Sequence, residues 1–291
     1  MKIANLDGRA LLIPKGAATH TGAVDVQQAS DGRFGPDPQT LFDDWPAFSR
    51  WVQEFEATDA AASVARVPFD VEALDAPVPR PRQVFAIGLN YAEHAAEAGY
   101  PPDGMPVTFT KFPSSIVGPR AVVELPEGHV DWEVELVVVI GREAFHLDRE
   151  SAWEHVAGLT IGQDLSERIT QMQGAAPQFS LAKSFPGFGP TGPWLVTPDE
   201  VHGKDDLSIA CSLSDEGMQS SRTSMMLYDV PELLVRLSAV CTLLPGDMIF
   251  SGTPSGIGNR RTPQRFIGPD DVLVSEIEGL GTLTTRFTAA R

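Results

Sequence analysis

The stretch Asp131-Trp-Glu-Val-Glu-Leu-Val-Val-Val-Ile-Gly141 constrains this chain more than any other part of it. Its run of Val137, Val138, Val139 and Ile140, closed by Gly141, predicts a strand. Strand side chains alternate in direction, so Glu133 and Glu135 share one face, about 7 Å apart, while Val134 and Leu136 take the other. The unbroken apolar run that follows implies burial on both faces. Two carboxylates at the mouth of a buried strand repel each other and lose hydration unless something positive compensates them. A divalent cation is the simplest compensator, and an all-oxygen ligand set suits Mg²⁺ or Mn²⁺ better than zinc. Glutamates paired with arginines on a solvated strand end are the plainer alternative, and they are the commoner outcome for this pattern taken alone.

With 39 acidic against 22 basic residues, the net charge of −17 argues against nucleic acid and anionic membrane surfaces as partners. A pocket for an acid must therefore supply its own positive charge. Cys211 and Cys241 give no disulfide framework, fit a reducing cytosol, and are expected as small core hydrophobes rather than nucleophiles. There is neither a signal-peptide pattern nor an apolar run near the roughly 20 residues of a membrane span, so a cytoplasmic protein is expected.

At 291 residues the chain has room for a large domain with a small appendage. Residues 1–76 are expected to form a small α+β unit. It would hold a hairpin turning at Asp7-Gly8 and a helix with Trp45, Phe48, Trp51, Val52 and Phe55 on its buried side. The proline-rich run from Ala76 to Arg82 marks the boundary. Residues 77–291 read as a β-rich α+β body of short apolar strands, with one clear helix capped by Asp229, lined by Leu233, Leu234, Leu237, Val240 and Leu244, and ended at Pro245-Gly246. Gly187-Phe-Gly-Pro-Thr-Gly192 matches a dinucleotide fingerprint literally, but Pro190 and Pro193 oppose the helix that motif needs, so an irregular loop is expected there.

Four further stretches carry chemistry. His94 and Glu97 lie three apart on a predicted helix, where the carboxylate would orient the imidazole as a general base; an exposed salt bridge is the alternative. Asp164 follows an apolar run and offers a third oxygen ligand or an N-cap, and Arg168 and Gln171 recur after it at helical spacing as donors for an acid group. Lys183, among apolar residues and tight turns, is a candidate desolvated cation beside an anionic intermediate. The glycine-rich turn around Thr253 could grip a carboxylate through its amides and the hydroxyl, and Lys111 is a further possible carboxylate contact.

Taken in order, Gly88-Leu-Asn-Tyr-x-x-His94-x-x-Glu97, Lys111-x-Pro-Ser-Ser, Asp131-Trp-Glu-x-Glu135, Asp164-x-Ser-x-Arg168-x-x-Gln171, Lys183-Ser-Phe, Gly189-Pro-x-Gly192 and Gly252-Thr-Pro-x-Gly-x-Gly258 resemble the fumarylacetoacetate hydrolase family over roughly residues 80–285. The resemblance implies a mixed β-roll catalytic domain, a homodimer, and Mg²⁺ or Mn²⁺ held by Glu133, Glu135 and Asp164. It implies a small 2-oxo acid as substrate, with first expectation the hydrolysis of a C–C bond in an acylpyruvate such as fumarylpyruvate, a reaction of aromatic catabolism. Decarboxylation of oxaloacetate-like acids or isomerisation of 2-hydroxydienoates on the same site is the alternative, and a binding protein without turnover is a third. In this scheme His94, Glu97 and Lys183 are catalytic, and Lys111, Arg168, Gln171 and Thr253 position the acid. The segment from His94 through Gly99-Tyr-Pro-Pro-Asp-Gly104 is expected to act as a lid. Glu167 stands where the family carries a small residue and is expected to alter the pocket rim.

Overall fold

The computed structural model describes residues 1–14, 22–58, 60–93 and 104–290. Its architecture is β-rich with few helices, as expected. The larger sheet runs, edge to edge, through Val24–Asp25, Arg9–Ile13, Lys2–Leu6, Gly189–Val196, Val156–Gln163, Val134–Ile140, Met248–Phe250, Val84–Gly88 and Val107–Thr110, with Ile116–Val117 paired to Gly189–Val196. A second sheet runs through Glu216–Arg222, Ser208–Leu213, Val272–Ile277, Gly281–Ala289 and Val122–Leu125. Most pairs are antiparallel; Met248–Phe250 with Val84–Gly88, Gly281–Ala289 with Val122–Leu125 and Gly189–Val196 with Ile116–Val117 are parallel, which gives the sheets their mixed character.

Every residue of the central Val134–Ile140 strand is buried, and its two faces serve different cores. Val134, Leu136, Val138 and Ile140 pack with Leu207, Ile209, Leu273 and Leu283 of the second sheet and its approach. Val137 and Val139 pack on the other side with Phe48 and Val52 of the Trp45–Glu56 helix. That helix is capped by Asp44, which accepts from the Ala47 amide at 3.1 Å, and it buries the five apolar residues its spacing predicted.

The boundary expected at residue 76 does not divide the core. The Asp7-Gly8 turn forms, with both residues at positive φ and Leu6 opposite Arg9. The hairpin then joins the larger sheet by pairing Lys2 with Val196 and Ile3 with Leu195, so residues 1–76 share a sheet and both apolar clusters with the body. Two expectations are corrected. The loop predicted around Gly189 is a fully buried strand, Gly189–Val196, whose pairing with Val156–Gln163 is irregular between Leu159 and Ile161, beside Gly192 and Pro193. Proline lacks an amide for the ladder, and such an interruption is where a sheet tolerates it. The helix capped by Asp229 ends at Ser238, not at Pro245; the Val240 and Cys241 amides both turn back to Leu237 O, and Val240 is exposed. Both cysteines are free, and burial pushes the Cys211 thiol up to about 12, so it is no nucleophile. Among the described residues no helix is long and apolar enough to cross a membrane.

Candidate active site

Strand alternation brings Glu133 and Glu135 to one side of the central strand, and the antiparallel neighbour delivers Asp164, whose amide donates to Glu133 O at 2.9 Å. The three side chains are buried, and one oxygen of each lies within 4.8 Å of the others. Lys183 Nζ bridges two of them, donating to Glu133 Oε2 and Asp164 Oδ2 at 2.6 Å each. Arg168 Nη2 donates to Glu133 Oε1 at 2.7 Å, and its Nη1 donates to Gln171 Oε1 at 3.0 Å. Glu135 accepts from the Gly252 amide at 2.8 Å. That approach requires glycine, because Gly252 sits at φ +101° and a Cβ there would meet Asn90 Cβ at 2.7 Å.

The electrostatics separate the two glutamates. Burial raises both, but Lys183 and Arg168 outweigh it at Glu133 and hold that carboxyl at about 2. Glu135 has no such arginine; burial, then the charges of Asp164 and Glu133, push it well above the ordinary carboxylate range. The lysines separate too. Burial lowers Lys111, which meets one carboxylate beside the charge of Lys183, whereas Asp164 and Glu133 together outweigh burial and raise Lys183. Among the described residues, with Asp131 included, four buried carboxylates face the three cations Lys111, Arg168 and Lys183. A divalent ion would supply the positive charge that Glu135 lacks and let it ionise, and the oxygen-only donor set fits a hard ion.

A cavity of about 430 Å³ opens onto this cluster. Glu133, Arg168, Gln171, Lys183 and Thr253 line it, with Val107, Phe109, Phe179 and Ile257 among its apolar walls. Glu135 and Asp164 lie deeper, at 1% and 0% exposure.

Several expected roles change here. Lys111 is fully buried and does not reach the cavity; its Nζ donates to Asp164 Oδ1 at 2.7 Å and to Lys183 O, so it supports a carboxylate of the cluster rather than a substrate. Thr253 lines the cavity, but its hydroxyl proton goes to Val134 O at 2.9 Å and its oxygen accepts from Gln219 Nε2 at 2.8 Å, so the hydroxyl is not a free donor. Asp164 is not an N-cap. That position belongs to Glu167, whose carboxylate accepts from the Ile169 and Thr170 amides at 3.0 and 2.6 Å and from His129 N at 2.8 Å. Glu167 therefore caps the turn carrying Arg168 and Gln171 instead of altering the pocket rim. Burial works against its charge, but these hydrogen bonds lower its pKa. His94, Glu97 and the expected lid as far as residue 103 lie outside the described residues.

The cap yields a prediction. Glu167→Ala should lower stability by about 1–2 kcal/mol at neutral pH, as loss of a cap does. Because the folded carboxyl is depressed, its contribution is present above the ordinary glutamate pKa and fades as pH falls through it toward the folded value. Urea titrations at pH 7 and pH 3.5 check this, and a gap between the two proteins that does not narrow in acid contradicts it.

Sequence reasoning missed Asp131, Gln163 and Gln219. Asp131 is fully buried and accepts from Arg168 Nε and Nη2 at 2.9 and 2.7 Å. Gln163 and Gln219 accept from the amides of Glu133 and Val134 at 2.9 and 3.0 Å and fix the backbone between the two glutamates. Asp131 had a signal, since it stands two residues before Glu133; Gln219 had none, because it arrives from the second sheet.

The family model for the C-terminal domain of fumarylacetoacetate hydrolase matches residues 83–288. The chain belongs to the fumarylacetoacetate hydrolase family. Within that family, it is 43% identical over 213 residues to the mitochondrial oxaloacetate tautomerase FAHD2A of Bos taurus, covering 72% of this chain and 68% of the bovine one. The crystal structure of a candidate HpcE protein from Mycobacterium smegmatis superposes over all of both chains with a TM-score of 0.88 and 49% identity. Maleylpyruvate hydrolase from Sphingobium sp. SYK-6, solved with manganese(II) and pyruvate, also superposes over all of both chains, with a TM-score of 0.79 and 25% identity. These fumarylacetoacetate hydrolase relatives include enzymes, and one of them carries a metal.

Proposed function

We propose that this chain is a Mg²⁺- or Mn²⁺-dependent enzyme that interconverts the keto and enol forms of a 2-oxo acid of the oxaloacetate type. The observation that carries the reading is the buried Glu133, Glu135 and Asp164 cluster at a cavity lined by Arg168 and Lys183. The name of the bovine relative selects oxaloacetate among 2-oxo acids. Glu133, Glu135 and Asp164 would hold a divalent ion, which would supply Lewis acidity to a bound 2-oxo acid. Tautomerisation moves a proton from C3 to the 2-oxygen, so negative charge grows on that oxygen as the C–H bond breaks. Lys183, kept charged by Glu133 and Asp164, faces the cavity and stabilises that charge. Arg168 and Gln171 orient the acid end, and the apolar walls exclude bulk water. The base is proposed at His94 with Glu97; His94→Ala with unchanged turnover removes it.

Hydrolysis of an acylpyruvate is the second reading, favoured by the likeness to the maleylpyruvate hydrolase. The same enolate chemistry serves it, with an activated water added. Metal-depleted protein restored with Mg²⁺ or Mn²⁺ separates the two. Metal-dependent loss of the oxaloacetate enol absorbance, without pyruvate release from fumarylpyruvate or acetylpyruvate, is the expected result. Pyruvate plus the matching acid makes the chain a hydrolase, and carbon dioxide from oxaloacetate makes it a decarboxylase. Silence across the panel with metal bound overturns the 2-oxo acid reading. The working unit is proposed to be a homodimer, since Ile169, Met172 and Leu181 are exposed near the cavity at 56, 67 and 56%; a monomer in sedimentation velocity opposes it. The proposed compartment is the cytoplasm, whereas the bovine relative's name is mitochondrial, and cell fractionation distinguishes them.

A further inference from the structure

The cavity carries another cation that the chemistry above does not use. Arg260 ends the Gly258–Arg260 turn, lines the same cavity as Glu133, Arg168 and Lys183, and is exposed. Arg149, Arg222, Arg236 and Arg265 are each paired with a carboxylate. Among the described residues the Arg260 guanidinium has no such partner, in a chain with 39 acidic residues to 22 basic ones. A guanidinium left free at a cavity wall keeps its planar fork of donors available for a ligand carboxylate.

The turn that holds it is fixed. Asp131 accepts from the Gly258 and Asn259 amides at 2.7 and 2.9 Å while its Oδ2 also holds Arg168. One buried carboxylate thus ties the arginine at the acid end of the cavity to the turn that carries Arg260. Gly258 allows this approach, since a Cβ there would meet Asp131 Oδ1 at 2.8 Å and Trp132 at 2.9 Å. Much of the remaining wall is apolar, with Val107, Phe109, Met172 and Ile257, and suits a hydrocarbon link between two charged ends.

We propose that Arg260 binds the second carboxylate of a dicarboxylic 2-oxo acid and selects such acids over monocarboxylic ones of equal length. The inference rests on the 2-oxo acid reading of the site. Calorimetric titration of the Mg²⁺-loaded full chain with 2-oxoglutarate and 2-oxopentanoate tests it, as does the shorter pair oxaloacetate and 2-oxobutyrate. Each pair differs by a terminal carboxylate in place of a methyl group. The wild type is expected to prefer the diacid by about tenfold or more in at least one pair, the scale of a charge-assisted hydrogen bond. Arg260→Gln is expected to bring that ratio within about twofold of one, mainly by weakening the diacid, and Arg260→Lys to retain part of the preference. A wild type with no preference, an Arg260→Gln protein that keeps it, or equal weakening of both acids overturns the assignment. A wild type that binds neither acid overturns the 2-oxo acid reading itself, and the role of Arg260 with it. An unchanged thermal midpoint for Arg260→Gln shows that the exposed substitution leaves the fold intact.

Discussion

Asparagine in place of Asp164 is expected to yield a protein about 3 kcal/mol less stable, with metal affinity reduced by more than about a hundredfold and no turnover of 2-oxo acids. The side chain is fully buried and accepts from Lys111 at 2.7 Å and Lys183 at 2.6 Å. An amide keeps one acceptor but turns two N–H donors toward at least one ammonium, so a buried cation loses its partner. Lys183 retains Glu133, whereas Lys111 retains, as a hydrogen-bond acceptor among the described residues, the carbonyl of Lys183 alone, and burial already lowers its pKa. The cost therefore falls mainly on Lys111 and is limited by its deprotonation. Metal affinity falls because a ligand oxygen loses its charge, which is a separate effect from the loss of stability. Urea denaturation, calorimetric titration with Mn²⁺ and enol absorbance measure the three quantities. Full metal affinity with normal turnover sinks the metal assignment; normal affinity in a destabilised protein leaves Asp164 only as a counter-ion for the lysines.

How far this site was legible depends on the range of the interaction that builds it. Glu133 and Glu135 share a face because strand side chains alternate, and the apolar run after them announced a strand buried on both sides. Asp164 was legible because it follows an apolar run, and the structure adds only that this run pairs antiparallel with the glutamate strand, Gly162 opposite Glu135. Lys111 was found but given the wrong role. Its position behind Asp164 follows from the pairing of Val107–Thr110 with Val84–Gly88 and from packing against the Lys183 carbonyl, which no local pattern encodes. Glu167 misled for the opposite reason. A charged residue beside the ligands suggests a pocket wall, yet its nearest unsatisfied groups are the amides of the turn it starts, and they claim it. The N-terminal hairpin was readable from its two-residue turn, but its partner, Gly189–Val196, lies far from it along the chain and contains two prolines. Long-range pairing decides such a contact, and local propensity argues against it.

Methionine at position 183 is expected to produce the largest stability response to metal of any single change at this site. Lys183 is 2% exposed, and its ammonium joins Glu133 to Asp164. Methionine has similar length and no charge, so packing is largely retained while Asp131, Glu133, Glu135 and Asp164 are left facing only Arg168 and Lys111. Metal-free variant should lose about 3 kcal/mol, the scale of a broken buried ion pair. A dication among the three ligands replaces the missing charge, so added Mg²⁺ or Mn²⁺ should raise the melting temperature of the variant more than that of the wild type. Turnover separates the two roles of the lysine. As a counter-ion alone it would be dispensable once metal is bound, and the loaded variant would regain activity with its stability. As the cation beside the developing enolate it is not replaced by the ion, and the loaded variant should stay at least about a hundredfold below wild type while folding normally. Recovery of both stability and turnover would reduce Lys183 to electrostatic scaffolding. A variant whose melting temperature metal raises no more than the wild type's would remove the ion from the carboxylate cluster.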